Sequence, residues 1–201
     1  MYNRGDFHLH TNASDGKLSP KELIHEASLN GLDIIAITDH DNTLNVEEGI
    51  REGINSNIRV IPGIELSTIH NGESIHILGY FKDDEYKNLD FQKFLKDIGD
   101  FRVFRGEKIV ENLDTFFKIK LDYQKVLNQA KGVIARPHIA KAIIDAGYNY
   151  DWKYIFDNFL SNDSPAYVHI KRIPTAEGIS ILKKVHALVV LARSEEHTSE
   201  L

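Results

Sequence analysis

Short apolar runs alternate with amphipathic stretches in the first part of the chain. Asp6-Phe7-His8-Leu9-His10 alternates with period two and predicts a strand. Ser19-Pro20-Lys21-Glu22 predicts a helix start, with Ser19 as cap, Pro20 at the first position and Glu22 completing a capping box; Gly31 closes that helix. Asp33 to Ile37 is an apolar run of the kind found in buried parallel strands, and it ends abruptly at Thr38-Asp39-His40-Asp41. A second helix is expected from about Leu44 to Ile54, a third strand from Arg59 to Glu65 and a fourth from Ser74 to Tyr80. This strand–helix alternation predicts an α/β sheet or barrel.

From about Asp84 to Leu160 the apolar positions fall at helical spacing with few strand signals, which predicts a helical insertion. Strand-like punctuation returns at Ala166-Tyr167-Val168. A helix is then expected from about Pro174 to His186, and a buried strand from Ala187 to Ala192. The expected organisation is therefore residues 1–83 as the first part of the sheet or barrel, 84–160 as the insertion and 161–192 as the return. Residues 193–201, Arg-Ser-Glu-Glu-His-Thr-Ser-Glu-Leu, show no apolar periodicity and follow the last strand without a turn. They are similar to the translation of a widely used short-read sequencing adapter. The natural chain is expected to continue beyond Ala192, and Glu195, Glu196 and His197 are left out of the site.

Composition narrows the chemistry. The 201 residues can form one substantial core. A net charge of −6 offers no basic footprint for long nucleic acid, so a nucleic-acid substrate would be short or held at its end. The absence of cysteine excludes disulfides and thiolate metal sites and fits a cytoplasmic location. No apolar run reaches the ~20 residues of a membrane span, and the first residues lack the apolar core of a signal peptide. No protein partner is implied.

The candidate chemistry lies at strand ends. His8 and His10 are two apart, so a strand would present both imidazoles on one face, suited to zinc, manganese or iron. Asp15, on the adjoining turn, could reach a neighbouring ion. His40 ends an apolar strand, where Asp39 or Asp41 could orient its second ring nitrogen. Glu65 follows Gly63 at another strand end, and a carboxylate can bridge two ions. His76, alone between Ile75 and Ile77, would ordinarily be a core histidine, but three other strand ends already supply ligands.

Together Asp6-Phe7-His8-Leu9-His10-Thr11, Ser14-Asp15-Gly16, Ala36-Ile37-Thr38-Asp39-His40-Asp41 and Pro62-Gly63-Ile64-Glu65 resemble the PHP (polymerase and histidinol phosphatase) family of metal-dependent phosphoesterases. Ala135-Arg136-Pro137-His138-Ile139-Ala140 and Pro165-Ala166-Tyr167-Val168 resemble its TrpH-like branch of nucleoside 3′,5′-bisphosphate phosphatases and 5′→3′ exoribonucleases.

The resemblance implies a distorted TIM-like (β/α)7 barrel, incomplete at its C-terminus, with a helical insertion. It implies two to three divalent ions, manganese first, with zinc or iron as alternatives. His8 and His10 would hold one ion, Glu65 would bridge to a second held by His76, and Asp15 and His40 would hold a third. The family's later Ala-His-Pro and Asp-x-His ligands would lie beyond Ala192, so this chain is expected to be inactive or nearly so. Arg102, Arg105, Arg136 and His138 would bind phosphate and nucleotide. The expected reaction is hydrolysis of a nucleoside 3′,5′-bisphosphate, or of the 5′ end of a short RNA, by a metal-activated hydroxide, with no covalent nucleophile. The alternatives are a histidinol-phosphate phosphatase, a non-catalytic PHP module and an amidohydrolase on a similar barrel.

Overall fold

The computed structural model describes residues 2–129, 134–169 and 172–192; the expected tail at 193–201 lies outside them. The chain forms two compact units. The first comprises the chain up to Lys96 and from Arg172 onward, and the second is Asp97–Lys171.

The elements begin with β1 (Gly5–Leu9), α1 (Pro20–Leu29), β2 (Ile34–Ile37), α2 (Val46–Asn55), β3 (Arg59–His70) and β4 (Glu73–Tyr80). A 3₁₀ turn at Asp84–Lys87 precedes α3 (Leu89–Phe117), α4 (Tyr123–Gln129), α5 (Arg136–Asp145) and α6 (Trp152–Asn158). The chain returns through β5 (Ile173–Pro174), α7 (Thr175–Lys184) and β6 (Leu188–Leu191). No helix among the described residues is long and apolar enough to cross a membrane.

In the first unit the sheet order is β1-β2-β3-β4-β6, with the short β5 beside β3. The all-apolar β2 occupies the interior, with Ile35, Ala36 and Ile37 fully buried. β1, β2 and β3 are parallel, as their intervening helices require. The Ser19–Glu22 capping box that starts α1 is formed in both directions.

Three strand expectations need correction. β3 runs past Glu65 to His70, turns at Asn71 and Gly72 and returns as an antiparallel β4. Asn71 and Gly72 have φ of 50° and 88°, the left-handed pair of a tight hairpin, for which Asn-Gly is the strongest short-range signal. The β6 segment, expected to be buried, is an edge strand. It pairs only with β4 among the described residues, and Leu188, Val190 and Leu191 are exposed. The described sheet is mixed and open rather than a closed barrel. Ala166-Tyr167-Val168 forms no strand.

The open sheet is nonetheless strongly curled. β1 and β4 are three strand spacings apart, roughly 14 Å if flat, yet the Tyr80 hydroxyl donates to the Phe7 carbonyl at 2.8 Å. His76 and Tyr80, four residues apart on β4, lie on the same face of that strand.

The second unit has its own core, built by Ile109, Leu113, Ile119, Ile139, Ile143 and Ile155. It starts within α3, and α4, α5 and α6 supply the rest of its helices.

Candidate metal centre

Glu65 is the hub of the site. Its side chain is 3% exposed and its two oxygens face four imidazoles. His8 Nε2 lies 2.7 Å and His10 Nε2 2.9 Å from Oε2, and His76 Nδ1 lies 2.9 Å from Oε1. His40 Nδ1 is 3.6 Å from Oε2. On the rim, Asp15 places one oxygen 3.2 Å from His10 Nδ1 and the other 3.5 Å from His40 Nε2.

Each side chain is placed by a local rule and then brought to Glu65 by pairing. Period two puts His8 and His10 on one face at the end of β1. His40 lies beside Glu65 through a parallel bridge in which Asp41 N–H donates to the Glu65 carbonyl and Glu65 N–H to the Asp39 carbonyl. His76 comes from β4, where it pairs with Ser67 while Leu78 pairs with Glu65. Residues paired across an antiparallel ladder share a face, so the hairpin carries His76 to the Glu65 side.

The loop between β1 and α1 positions Asp15. The Asp39 carboxylate, 1% exposed, accepts from Thr11 N–H at 2.7 Å, Thr11 Oγ1 at 2.6 Å and Ser14 Oγ at 2.6 Å. Asn42 donates to the Ala13 carbonyl, and Asn45 to Thr11 Oγ1 and Asn12 Oδ1. The expectation that Asp39 orients His40 is therefore corrected: its hydrogen bonds hold the ligand-bearing loop instead. Asp41 accepts from Ser67 N–H, which anchors the strand just after Glu65. The loop network was missed because its partners are distant in sequence; the Thr-x-x-Ser-Asp run beside His10 was its only local trace.

The electrostatics are those of anions facing a set of imidazoles. Burial opposes a charged ring at His10, yet hydrogen bonds to Asp15 and Glu65 outweigh it and push its pKa up to about 9. Hydrogen bonds from His10 and His40 hold Asp15 well below the usual carboxylate range. Burial works against the charge of Glu65, but hydrogen bonds from His10 and His76 and the charge of His40 hold it low as well.

The donor set fits metal ions. His8–His10–Glu65, His10–Asp15–His40 and His40–Glu65–His76 each offer ligand atoms within 4.8 Å of one another. Ligands at ~2.1 Å from one ion can be no more than roughly 4.2 Å apart, so the atoms of each triad lie near the spacing that a shared ion requires. His40 Nδ1 is buried without a hydrogen-bond partner among the described residues. Such an orphaned nitrogen is costly unless something coordinates it.

Residues 6–92 match the model of the PHP domain. This part of the chain is similar to the PHP domain. The chain is 31% identical over 192 residues to the 5′-3′ exoribonuclease Rnm of Salmonella typhimurium, covering 93% of this chain and 64% of that protein. It is 28% identical to the 3′,5′-nucleoside bisphosphate phosphatase of Chromobacterium violaceum, covering 81% and 57%. A crystal structure from Bifidobacterium adolescentis, assigned by name to the metal-dependent phosphoesterases, superimposes with a TM-score of 0.80 at 28% identity, covering 94% and 66%. The chain thus spans 57–66% of the lengths of these proteins.

The PHP-domain match ends before Arg102, Arg105, Arg136 and His138, which all belong to the second unit. Arg105 is buried, donates from Nε to the Val168 carbonyl at 2.7 Å and lies over the Tyr167 ring. Burial lowers its pKa; Tyr167 opposes that shift, whereas the charges of Arg136 and Arg102 add to it. Arg102 and Arg136 are therefore each within electrostatic reach of Arg105. Arg136 donates to the Leu160 carbonyl and to Asn162 Oδ1. His138 Nδ1 accepts from Ala135 N–H at the start of α5.

Proposed function

We propose that His8, His10, Asp15, His40, Glu65 and His76 hold a cluster of two to three divalent metal ions. We further propose that the whole protein uses this cluster to hydrolyse a phosphate ester of a nucleotide. The substrate would be a nucleoside 3′,5′-bisphosphate or the 5′ end of a short RNA. The observation that carries the reading is the sharing of ligands: Glu65, His10 and His40 each belong to two triads, so the ions would be immediate neighbours. Neighbouring divalent ions supply a water of lowered pKa and clamp phosphoryl oxygens.

The protein's own groups would divide the remaining work. Glu65 would bridge ions with its two oxygens, and the four histidines would offer neutral nitrogens. Asp15, on the exposed rim, would complete the outermost triad. Arg102, Arg105, Arg136 and His138 would bind the phosphates of the nucleotide, with Arg105 held in place by Val168 and Tyr167. The parallel β1–β2–β3 segment with ligands at its C-terminal ends matches the site placement of barrel enzymes. We assign the complete fold to a distorted TIM-like (β/α)7 barrel on that basis. Manganese is the first candidate ion, with zinc or iron as alternatives.

The test has two parts. This chain should bind divalent manganese in equilibrium dialysis. The whole protein should release phosphate from adenosine 3′,5′-bisphosphate or degrade a 5′-phosphorylated oligoribonucleotide, faster than it acts on histidinol phosphate, and chelation should abolish turnover. A chain that binds no divalent ion, or turnover indifferent to chelator, would sink the reading.

A further inference from the structure

Asp39 is nearly inaccessible and its carboxylate bonds to no candidate ligand among the described residues. A carboxyl group buried this fully needs hydrogen-bond partners, and the choice of partners is informative. Its three hydrogen bonds all go to Thr11 and Ser14, the residues between His10 and Asp15. We propose that Asp39 is a positioning residue for metal binding: it clamps the Thr11–Ser14 loop so that His10 and Asp15 converge on one ion with His40. This inference rests on the metal-binding reading above.

The hydrogen-bond inventory explains why the group must be a carboxylate. Thr11 Oγ1 accepts from Ala13 N–H at 3.1 Å and from Asn45 Nδ2 at 2.8 Å. A hydroxyl has two acceptor sites and one donor. Both acceptor sites are taken, so its single hydrogen must go outward, to Asp39 Oδ2. The other Asp39 oxygen already accepts from Thr11 N–H and Ser14 Oγ. All four hydrogen bonds that converge on Thr11 Oγ1 and Asp39 Oδ1 therefore have fixed direction. An asparagine at 39 would aim an amide N–H at a hydroxyl with no free lone pair. The clamp is thus selective for an acceptor on both arms, and His40, the next residue, enters the same triad as the loop that Asp39 holds.

The experiment is a manganese titration of the full chain, read by the EPR signal of free ion, together with amide hydrogen exchange of the metal-free protein. Asp39→Asn and Thr11→Val, which is isosteric but lacks the hydroxyl, should weaken at least one ion by roughly 10–100-fold, the range for lost ligand-orienting contacts. Both should speed exchange in the Thr11–Asp15 loop while leaving β2 and β3 protected. Thr11→Ser, which restores the hydroxyl, should bind as the parent does. If Asp39→Asn does not fold, the Thr11 pair decides the question alone. Variants that bind every ion with parental affinity overturn the proposal. So does loss of all ions with faster exchange across β2 and β3, which would make Asp39 a general stabiliser. A parent chain that binds no ion brings down the metal reading itself, an outcome visible before any variant is made.

Discussion

Gly16→Ala is a test of the loop geometry that changes no charge and removes no ligand. An added Cβ would lie 2.3 Å from the His10 carbonyl oxygen, 2.5 Å from its carbonyl carbon and 2.8 Å from the Thr11 carbonyl oxygen. Comfortable carbon contacts are ~3.5–4.0 Å, so the overlap is about 1 Å or more. It is made with backbone, which cannot rotate away as a side chain would. Gly16 does not have a left-handed φ, so the effect is purely one of space. To relieve it the loop must open by about the overlap, which stretches the Ser14 N–H to Thr11 carbonyl bond of 3.1 Å. Overpacking of this kind costs about 1–3 kcal/mol. Asp15, now 3.2 Å from His10 Nδ1, would move beyond contact, and each ~1.4 kcal/mol of lost binding is tenfold in affinity. Thermal unfolding of the metal-free chain should show a lower Tm, and calorimetric manganese titration should show at least one ion weakened about tenfold or more. The control is Gly99→Ala in α3, where an added Cβ meets nothing within 4 Å and stability should hold or rise slightly. Parental Tm and parental ion affinity in Gly16→Ala would refute the loop geometry and the placement of Asp15.

Two further outcomes follow from the same site. With its pKa raised to about 9, His10 contributes stability that is fully present below ~6.5 and lost as pH rises through about 9; the metal-free chain should melt lower at pH 9.5 than at pH 6.5. Ions need the neutral ring, so the Tm gain on adding manganese should grow over that window, and a gain that shrinks would contradict the assignment. His40→Ala should weaken ion binding at least tenfold, because His40 belongs to two of the three triads. His25→Ala, at an exposed position on α1, should leave it unchanged. Equal losses in dialysis would count against His40 as a ligand.

What could be read from the sequence was local. The period-two spacing that puts His8 and His10 on one face, the Ser19–Glu22 cap and the apolar β2 run each depend on a few consecutive residues, and the backbone's periodicity converts them directly into geometry. The Asn71-Gly72 hairpin was also written locally, in an Asn-Gly pair between the third and fourth strands. Tertiary structure decided the rest. Only strand register could show that Glu65 receives four imidazoles from three segments, because register depends on which faces compete for burial across the sheet. Only the folded chain could assign Asp39 to Thr11 and Ser14 rather than to the adjacent His40. A buried carboxylate takes whichever donors the fold leaves within 3 Å, and here those donors come from a loop 25 and 28 positions away in sequence. The exposure of β6 was likewise beyond reach of its apolar sequence, since burial of a strand is set by its neighbours, and among the described residues β6 has one.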